Sequence, residues 1–341
     1  MARTTNVVLH QTCSYGLRPQ KSMAQYDFPF TLNPTVGCFF ACKYCYSPGV
    51  YYSKKKDRRR LFFENVYVKL AKPELVRQDL KRFEVLPQHM KRVQINETSD
   101  YYLPQVLRHL DANGQPDLML GILNAFHEEW KNGNRWMLHI LTKSHLILNH
   151  IEKLREMKEM VQIEVSFATH DESVRRNIEY FSTSIDVRLG VVQRLAEAGL
   201  FVRIMAMPFF GGKKDLRKLK KAAFERGAKA FKNKGLNYFR SWDDLNRAQA
   251  YDDFLIARIP RVREREDRKD ESFIFKSGET MRRKGRSSSK VVSMPRMDED
   301  FRVKSEWAAM SKKRHRFVKT KMRIIDCGYA ECNNIDWGYV R

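Results

Sequence analysis

From residue 28 onward the chain alternates between short apolar runs and longer segments whose apolar residues recur at helical spacing. The apolar runs predict strands over 28–35, 61–69, 92–97, 136–142, 161–168 and 200–207, with a weaker one over 228–239. The segments between them predict helices over 73–82, within 116–130, and over 145–157, 184–198 and 216–226. Strands that alternate with helices of about 10–15 residues favour a parallel sheet built from βα units.

Roughly six βα units fit between residues 28 and 240, whereas a closed barrel needs eight. We therefore predict an α/β fold, a partial (β/α)6 TIM-like barrel, as a core domain over 28–240. Residues 1–27 show no such alternation and are predicted to be an irregular, basic leader.

The pattern changes after about residue 259, where apolar periodicity gives way to charge. Basic blocks occupy 258–269, 282–290 and 312–316, and they predict a basic, partly irregular arm or linker over 241–321. The last segment, 322–341, regains apolar residues such as Ile324, Trp337 and Tyr339, so it is a candidate for docking back on the core.

The net charge of the chain bears on its binding partner. The 341 residues include 64 Lys and Arg against 40 Asp and Glu, a net charge of +24. A balance this basic predicts a polyanionic partner, most plausibly nucleic acid. The alternative is a highly charged, solvated surface with no such partner.

The cysteine content and the N-terminal residues bear on the cellular location of the protein. Six cysteines are few for this length and do not form a disulfide framework, which favours a reducing environment. Residues 1–11 lack the apolar core of a signal peptide, and no apolar run reaches the roughly 18 residues of a membrane span. We predict a soluble, cytoplasmic protein with no membrane partner.

Three of the cysteines carry the strongest chemical signal: Cys38, Cys42 and Cys45, spaced C-x3-C-x2-C. Three thiolates can ligate three irons of a [4Fe–4S] cluster and leave the fourth iron open to a small molecule. The alternative is a structural zinc completed by a histidine or a distant cysteine, although zinc sites usually show paired C-x2-C knuckles.

Polar residues also recur where the predicted strands end. They are Glu97 to Asp100, Thr142 to Ser144, Ser166 and Thr169, with Met207 and Pro208 after the next strand. Because ligands of parallel βα folds bind at the carboxyl ends of the strands, these residues and the cysteine triplet are expected to share one rim.

The stretch from Asn33 to about Asp215 resembles the spore photoproduct lyase-like branch of the radical S-adenosylmethionine (SAM) superfamily. The matching segments are Asn33-Pro34-x-x-Gly37-Cys38-x-x-x-Cys42-x-Tyr44-Cys45-Tyr46, Thr98-Ser99-Asp100, Leu141-Thr142-Lys143-Ser144, Val165-Ser166-Phe167 and Leu195-Ala196-Glu197-Ala198-Gly199. The cysteine motif is specific, the others are modest alone, and the basic arm is not covered.

The resemblance implies a mechanism and a set of site residues. Cys38, Cys42 and Cys45 would ligate a [4Fe–4S] cluster whose open iron binds SAM, and reductive cleavage would yield a 5′-deoxyadenosyl radical that abstracts a substrate hydrogen. The residues implied to contact SAM are Tyr44, Ser99, Lys143 and Ser166. An electron donor such as flavodoxin or ferredoxin is implied as a partner.

One position departs from the family pattern. The lyase has a cysteine directly before its Thr-Ser-Asp, and that thiol returns a hydrogen to the product radical, but here the residue is Glu97. A carboxylate is a poor hydrogen-atom donor, which puts lesion reversal by this route in doubt. The candidate replacements are Tyr101, Tyr102, Cys327 and Cys332.

The sequence thus predicts a radical SAM enzyme that acts on DNA or RNA, in repair or modification. Two alternatives stay open at this point. One is a radical SAM enzyme acting on a protein or a small molecule, and the other is a non-enzymatic, zinc-containing nucleic-acid-binding protein.

Overall fold

The computed structural model describes residues 5–11, 13–19, 28–52, 55–86 and 91–233. The strands are β1 Asn6–His10, β2 Arg18–Pro19, β3 Phe30–Leu32, β4 Thr35–Val36, β5 Asn65–Lys69, β6 Arg92–Ile95, β7 Met137–Thr142, β8 Val161–Ser166, β9 Phe201–Ala206 and β10 Ala230–Asn233. The helices are α1 Ser47–Tyr51, α2 Arg58–Glu64, α3 Lys72–Arg82, α4 Pro104–Ala112, α5 Leu118–Lys131, α6 Ile151–Glu156, α7 Glu172–Ile178, α8 Ile185–Glu197 and α9 Lys213–Glu225, and a 3-10 helix covers His145–His150.

The main sheet follows the order β2–β3–β6–β7–β8–β9–β10. Its strands from β3 to β10 run parallel, and β2 is antiparallel at the edge. An apolar layer crosses the sheet in register, through Leu32, Ile95, Ile140, Ile163 and Val202. Six parallel strands in this order confirm the predicted α/β fold with a partial barrel.

The two faces of the main sheet differ in polarity. The apolar face packs against the helical layer, where the ring of Phe30 lies 4.9 Å from that of Phe83 and 5.4 Å from that of Trp136. The alternate positions place buried polar side chains on the other face: Gln94, His139, Gln162, Glu164 and Arg203. Parallel strands usually carry apolar residues on both faces, so this polar inner face is a departure that function has to explain.

A second sheet corrects two predictions. β1 pairs with β5 in parallel, so the leader predicted as irregular contributes a strand. Residues 61–69, predicted as one strand, instead end helix α2 and form β5. The reason lies in the burial pattern: Arg59, Phe62 and Phe63 are buried at i, i+3 and i+4, which is a helical face, and strand-like alternation begins only with β5.

The other boundaries follow local signals. Helix α5 begins after Asp117, whose carboxylate accepts hydrogen bonds from the main-chain N–H groups of Met119 and Leu120, and α8 begins after Ser184. The segment predicted as one helix over 145–157 is a 3-10 helix followed by α6, and α1, α4 and α7 were not predicted. Residues 234–341, which include the basic arm and the C-terminal segment, lie outside the described residues.

Among the described residues, no helix is both long and apolar enough to cross a membrane.

Candidate active site

The cysteine loop lies between β4 and α1. Cys42 is buried, and Cys38 and Cys45 are half-buried; all three are free thiols. The main-chain N–H of Cys45 donates to the carbonyl of Cys42 at 3.1 Å, which closes a tight turn around the last two cysteines. The loop therefore presents three thiols from one short stretch of backbone.

Gly37 allows the loop to leave β4. Its φ of +99° lies in the region that side-chain-bearing residues rarely adopt, and a Cβ there would stand 1.9 Å from the carbonyl oxygen of Asn65. The next residue is then fixed by a hydrogen bond from the N–H of Cys38 to the carbonyl of Phe62, at 3.1 Å. Only glycine fits this close approach between the cysteine loop and the start of β5.

Arg59 of helix α2 fixes the backbone of the cysteine loop through hydrogen bonds. Its guanidinium donates to the main-chain carbonyls of Cys42, Lys43 and Cys45 at 3.2, 3.1 and 3.3 Å. The side chain is buried and packs over the ring of Phe63, 4.9 Å from its centroid. One planar cation thus fixes three carbonyls of the turn that bears the last two cysteines.

Burial controls the acidity of two of the three cysteine thiols. Burial raises the pKa of Cys38 to about 12, with the charge of Asp100 adding to it while main-chain hydrogen bonds from Asp100 and Phe40 oppose it. Burial also raises the pKa of Cys42, against the influence of the Lys143 ammonium. Buried thiolates of this kind require a bound cation, because a metal deprotonates the thiols that ligate it.

A cluster and a single metal ion place different demands on the ligands of the cysteine loop. Across the part of the chain that the structure describes, no three His, Cys, Asp or Glu side chains converge on one ion. A tetrahedral zinc needs its ligands around one point, whereas a cluster bonds each thiolate to a different iron. The preference for a [4Fe–4S] cluster over zinc rests on the C-x3-C-x2-C spacing of the three cysteines.

Asp100 joins the ends of β6 and β7 next to the loop. Its carboxylate accepts hydrogen bonds from the N–H of Tyr102 at 3.0 Å, from Oγ1 of Thr142 at 2.9 Å and from the N–H of Lys143 at 2.9 Å. Burial raises the pKa of this carboxyl, and the hydrogen bonds partly offset the rise. Through these bonds Asp100 fixes the backbone that presents Lys143.

Glu179, between α7 and α8, binds both Tyr44 and Lys143. Its fully buried carboxylate accepts the hydroxyl of Tyr44, lies 2.8 Å from Nη2 of Arg188 and 3.7 Å from Nζ of Lys143. Burial alone would raise the pKa of Glu179, but the Arg188 and Lys143 charges and the Tyr44 hydroxyl together lower it. We call Tyr44, Lys143, Glu179 and Arg188 the Glu179 network.

The network reaches both the cysteine loop, through Tyr44, and the ends of β7 and β8, through Lys143 and Arg188. The Lys143 pKa is raised: burial would lower it, but the electrostatic influence of Cys42 and of the Glu179 carboxylate outweighs that effect. Arg188 donates from Nη1 to the carbonyl of Ser166 at 2.7 Å, at the end of β8. The structure thus brings together Tyr44, Lys143 and the Ser166 backbone, three of the four positions predicted to contact SAM.

Ser99 is the fourth position predicted to contact SAM, and its side chain hydrogen-bonds to Thr35 of β4, just before the cysteine loop. Its hydroxyl donates to the carbonyl of Thr35 at 2.7 Å and lies 3.0 Å from Oγ1 of the same residue, so it ties the end of β6 to β4. A contact between Ser99 and SAM stays a prediction.

The candidate hydrogen donors lie elsewhere. The hydroxyl of Tyr101 donates to Asp117 at 3.2 Å, and that of Tyr102 is 3.3 Å from Nδ1 of His150. His150 in turn contacts Asp117 at 3.0 Å, so both buried tyrosines are engaged by the helical layer. This arrangement favours a structural role for Tyr101 and Tyr102; Cys327 and Cys332 lie outside the described residues.

A cavity of about 650 Å³ opens beside the cysteine loop. Its lining comes from the loop, the start of α4, the 3-10 helix and the segment before α8, and includes Phe39, Phe40, Leu103, Pro104, His145 and Thr183. None of the residues predicted to contact SAM lines this cavity, so the structure does not connect it with the predicted SAM contacts.

Glu179, Arg188 and Arg59 were missed by the sequence analysis. One signal was available for Arg188: it shares a helical face with the buried Ile185, Leu189 and Val192, and an arginine in an apolar stripe needs a buried partner. Glu179 follows a short helix and Arg59 sits within a basic run, so neither differs in sequence from a surface residue.

Comparison with known proteins gives relatives of modest identity. An uncharacterized protein of Mycobacterium tuberculosis is 25% identical over 206 residues, which cover 59% of this chain and 56% of that protein. An uncharacterized protein of Acidianus two-tailed virus is 25% identical over 189 residues, or 53% of this chain and 56% of the relative. The chain therefore spans a little over half the length of these curated relatives.

Solved structures share the fold. Spore photoproduct lyase complexed with dinucleoside spore photoproduct superposes with a TM-score of 0.51 at 14% identity, over 77% of this chain and 69% of the lyase. A lyase variant with bound AdoMet and dinucleoside spore photoproduct gives 0.53 at 12% identity, with the same coverage.

The family model described as "Radical SAM superfamily" matches residues 32–223, more than half of the chain. This range contains the cysteine loop, the predicted SAM contacts and the whole Glu179 network. The chain belongs to the radical SAM superfamily, whose enzymes use a [4Fe–4S] cluster and SAM.

Proposed function

We propose that this protein is a radical SAM enzyme that abstracts a hydrogen atom from a nucleic acid, in repair or modification. The observation that carries the chemistry is the meeting of the cysteine loop with the Glu179 network. Tyr44 and Lys143 converge on one carboxylate, and the charges of Lys143 and Glu179 both act on the Cys42 thiol. Cluster ligands and a cation suited to a carboxylate thus meet at one rim.

Each residue has a defined task in this proposal. Cys38, Cys42 and Cys45 would hold the cluster, which together with SAM supplies the 5′-deoxyadenosyl radical. The Lys143 ammonium, kept charged by Glu179, would pair with the SAM carboxylate. Burial of this rim excludes water and other hydrogen donors from the radical, since the cofactors supply the chemistry and the protein supplies orientation.

Two observations support nucleic acid as the substrate. The net charge is +24, and the basic blocks over 258–316 suit contacts to phosphates without sequence readout. The lyase with the same fold was solved with a dinucleoside lesion bound.

Glu97 limits the reaction class. It occupies the position before Thr98-Ser99-Asp100 and cannot return a hydrogen atom as a thiol does. We therefore propose either a modification that needs no hydrogen return or a repair in which another group returns the hydrogen.

The direct test is whether nucleic acid stimulates SAM cleavage. Reconstituted enzyme with dithionite would be assayed for 5′-deoxyadenosine with and without single-stranded DNA, duplex DNA and RNA. Stimulation by one of them, with loss of a substrate hydrogen to 5′-deoxyadenosine, is expected. Equal rates with and without every nucleic acid would favour a protein or small-molecule substrate.

The second basic block gives a separate prediction. Replacing Arg282, Arg283, Lys284 and Arg286 by glutamine in the full chain removes four positive charges. Because every neutralised phosphate releases bound counterions, the slope of log affinity against log salt should fall by about 0.7–0.9 for each phosphate that the variant no longer neutralises. Titration of a labelled oligonucleotide at several salt concentrations measures it, and an unchanged slope would remove this block from the interface.

A further inference from the structure

The basic run at residues 54–60 has no task in the function proposed so far. In the structure, Lys55, Lys56 and Arg60 are exposed and Arg58 is partly exposed; we call these four residues the α2 surface. Asp57 pairs with Arg60 at 2.9 Å and is the acidic residue within this run. The surface is therefore a compact cationic patch in which Lys55 and Lys56 lie just before α2 and Arg58 and Arg60 lie in its first turn.

The helix that carries the α2 surface is hydrogen-bonded directly to the cysteine loop. Arg59, between Arg58 and Arg60 in sequence, turns inward and donates to the carbonyls of Cys42, Lys43 and Cys45 at 3.1–3.3 Å. The carbonyl of Phe62, also on α2, accepts the N–H of Cys38 at 3.1 Å. One short helix therefore contacts the backbone at all three cysteines and presents positive charge to solvent.

This helix approaches the loop by a different route from the SAM residues. Arg59 binds main-chain carbonyls, whereas the Glu179 network binds the Tyr44 side chain and extends to the ends of β7 and β8. A partner on α2 would therefore reach the cluster ligands without displacing Lys143 or Glu179. Helix α1 packs against α2, since the ring of Tyr51 stacks on that of Phe62 with centroids 5.6 Å apart.

From these contacts we propose that the α2 surface docks an acidic one-electron carrier protein, flavodoxin-like in chemistry. The inference rests on the proposed radical SAM activity and assigns its reductant a surface. One electron would pass from the reduced carrier to the cluster held by the loop, so the carrier is oxidised and the cluster reduced by one electron each. Charge complementarity around a small contact is typical of transient electron-transfer complexes, and it acts mainly on the association rate.

The test compares two reductants on one variant. Lys55→Glu, Lys56→Glu and Arg60→Glu together reverse the patch and leave Arg59 in place. Bleaching of the reconstituted cluster would be followed by stopped flow, without SAM or nucleic acid, after mixing with enzymatically reduced flavodoxin or with dithionite. The flavodoxin rate at low salt should fall at least about tenfold, because the variant no longer steers the carrier, while the dithionite rate should stay within about twofold.

A matched control lies on α9, which is also basic and exposed. Lys214→Glu, Lys218→Glu and Lys221→Glu change the net charge by the same amount without touching the loop. This control should keep the wild-type flavodoxin rate to within about twofold, and added salt should slow wild type but not the α2 variant.

Three results would overturn the inference. They are an unchanged flavodoxin rate in the α2 variant, an equal fall with both reductants, or an equal fall in the α9 control. If the α2 variant instead loses oligonucleotide affinity and keeps its flavodoxin rate, the patch belongs to a nucleic-acid interface. Because the readout needs neither SAM nor substrate, failure of the proposed reaction would leave a different signature.

Discussion

Glu179→Gln is expected to lower the free energy of unfolding by about 3 kcal/mol, because removing one partner of a buried ion pair leaves its cations uncompensated. Arg188 lies 2.8 Å from this carboxylate and Lys143 3.7 Å, and both carboxylate and guanidinium are fully buried. Urea unfolding of the anaerobic protein at neutral pH measures the loss. SAM binding should weaken as well, since Lys143 loses the partner that orients its ammonium.

Two further variants distinguish the loss of a buried ion pair from a general loss of stability. Glu172→Gln removes a partner from the more exposed pair with Arg175, 2.7 Å apart, and should cost no more than about 1 kcal/mol. Glu179→Gln combined with Arg188→Met should lose less than the sum of the single changes, with a coupling of at least about 1 kcal/mol. Strict additivity would show that the two side chains do not act as a pair.

The effect of Glu179 should also depend on pH in a defined direction. Its pKa is lowered in the folded protein, so the carboxylate stabilises the fold above the ordinary glutamate range. That contribution disappears as the pH falls through the lowered pKa. The stability difference between wild type and Glu179→Gln should therefore be full at neutral pH and shrink on acidification, and a difference that grows in acid would contradict the assignment.

Gly37→Ala should prevent the cysteine loop from taking its position. The φ of +99° alone costs about 1–3 kcal/mol for a residue with a side chain. A Cβ 1.9 Å from the Asn65 carbonyl oxygen adds a clash with backbone that cannot rotate away. We expect a loss of more than about 3 kcal/mol in unfolding free energy and a large drop in iron bound per chain after reconstitution.

Gly133→Ala is the matched control, because Gly133 has a φ of +89° and nothing within 4 Å of its built Cβ. It carries the dihedral cost without the clash and lies outside the cysteine loop. It should lose about 1 kcal/mol of stability and retain its iron. Equal iron content in the two variants would show that the close approach at Gly37 does not control the loop.

The sequence predicted the barrel because its strands and helices differ in period and length. The apolar residues that pair across the sheet, from Leu32 to Val202, belong to short apolar segments that the sequence separates by helical segments. The cysteine triplet was equally visible, because its spacing is chemically specific. Lys143 was predicted from the resemblance of Leu141-Thr142-Lys143-Ser144 to the family, and its contact with SAM stays a prediction.

What the sequence could not predict depends on which side chains meet after folding. The run at 61–69 has strand-like composition, and only the burial of Arg59, Phe62 and Phe63 together makes its first part helical. Glu179 binds Tyr44, which is 135 positions away, and no local pattern reports such a contact. Tyr101 and Tyr102 were candidates for hydrogen return, and the sequence could not show that their hydroxyls contact Asp117 and His150 in the helical layer.

The central claim is that the cysteine loop supports reductive cleavage of SAM. The measurement is 5′-deoxyadenosine formed by protein reconstituted anaerobically with iron and sulfide, then given dithionite and SAM. Cys42→Ala removes a proposed ligand, and Cys13→Ala removes a free thiol outside the loop. Wild type and Cys13→Ala should form 5′-deoxyadenosine and Cys42→Ala should not. No product from any of the three, with zinc bound in place of iron, would contradict the account.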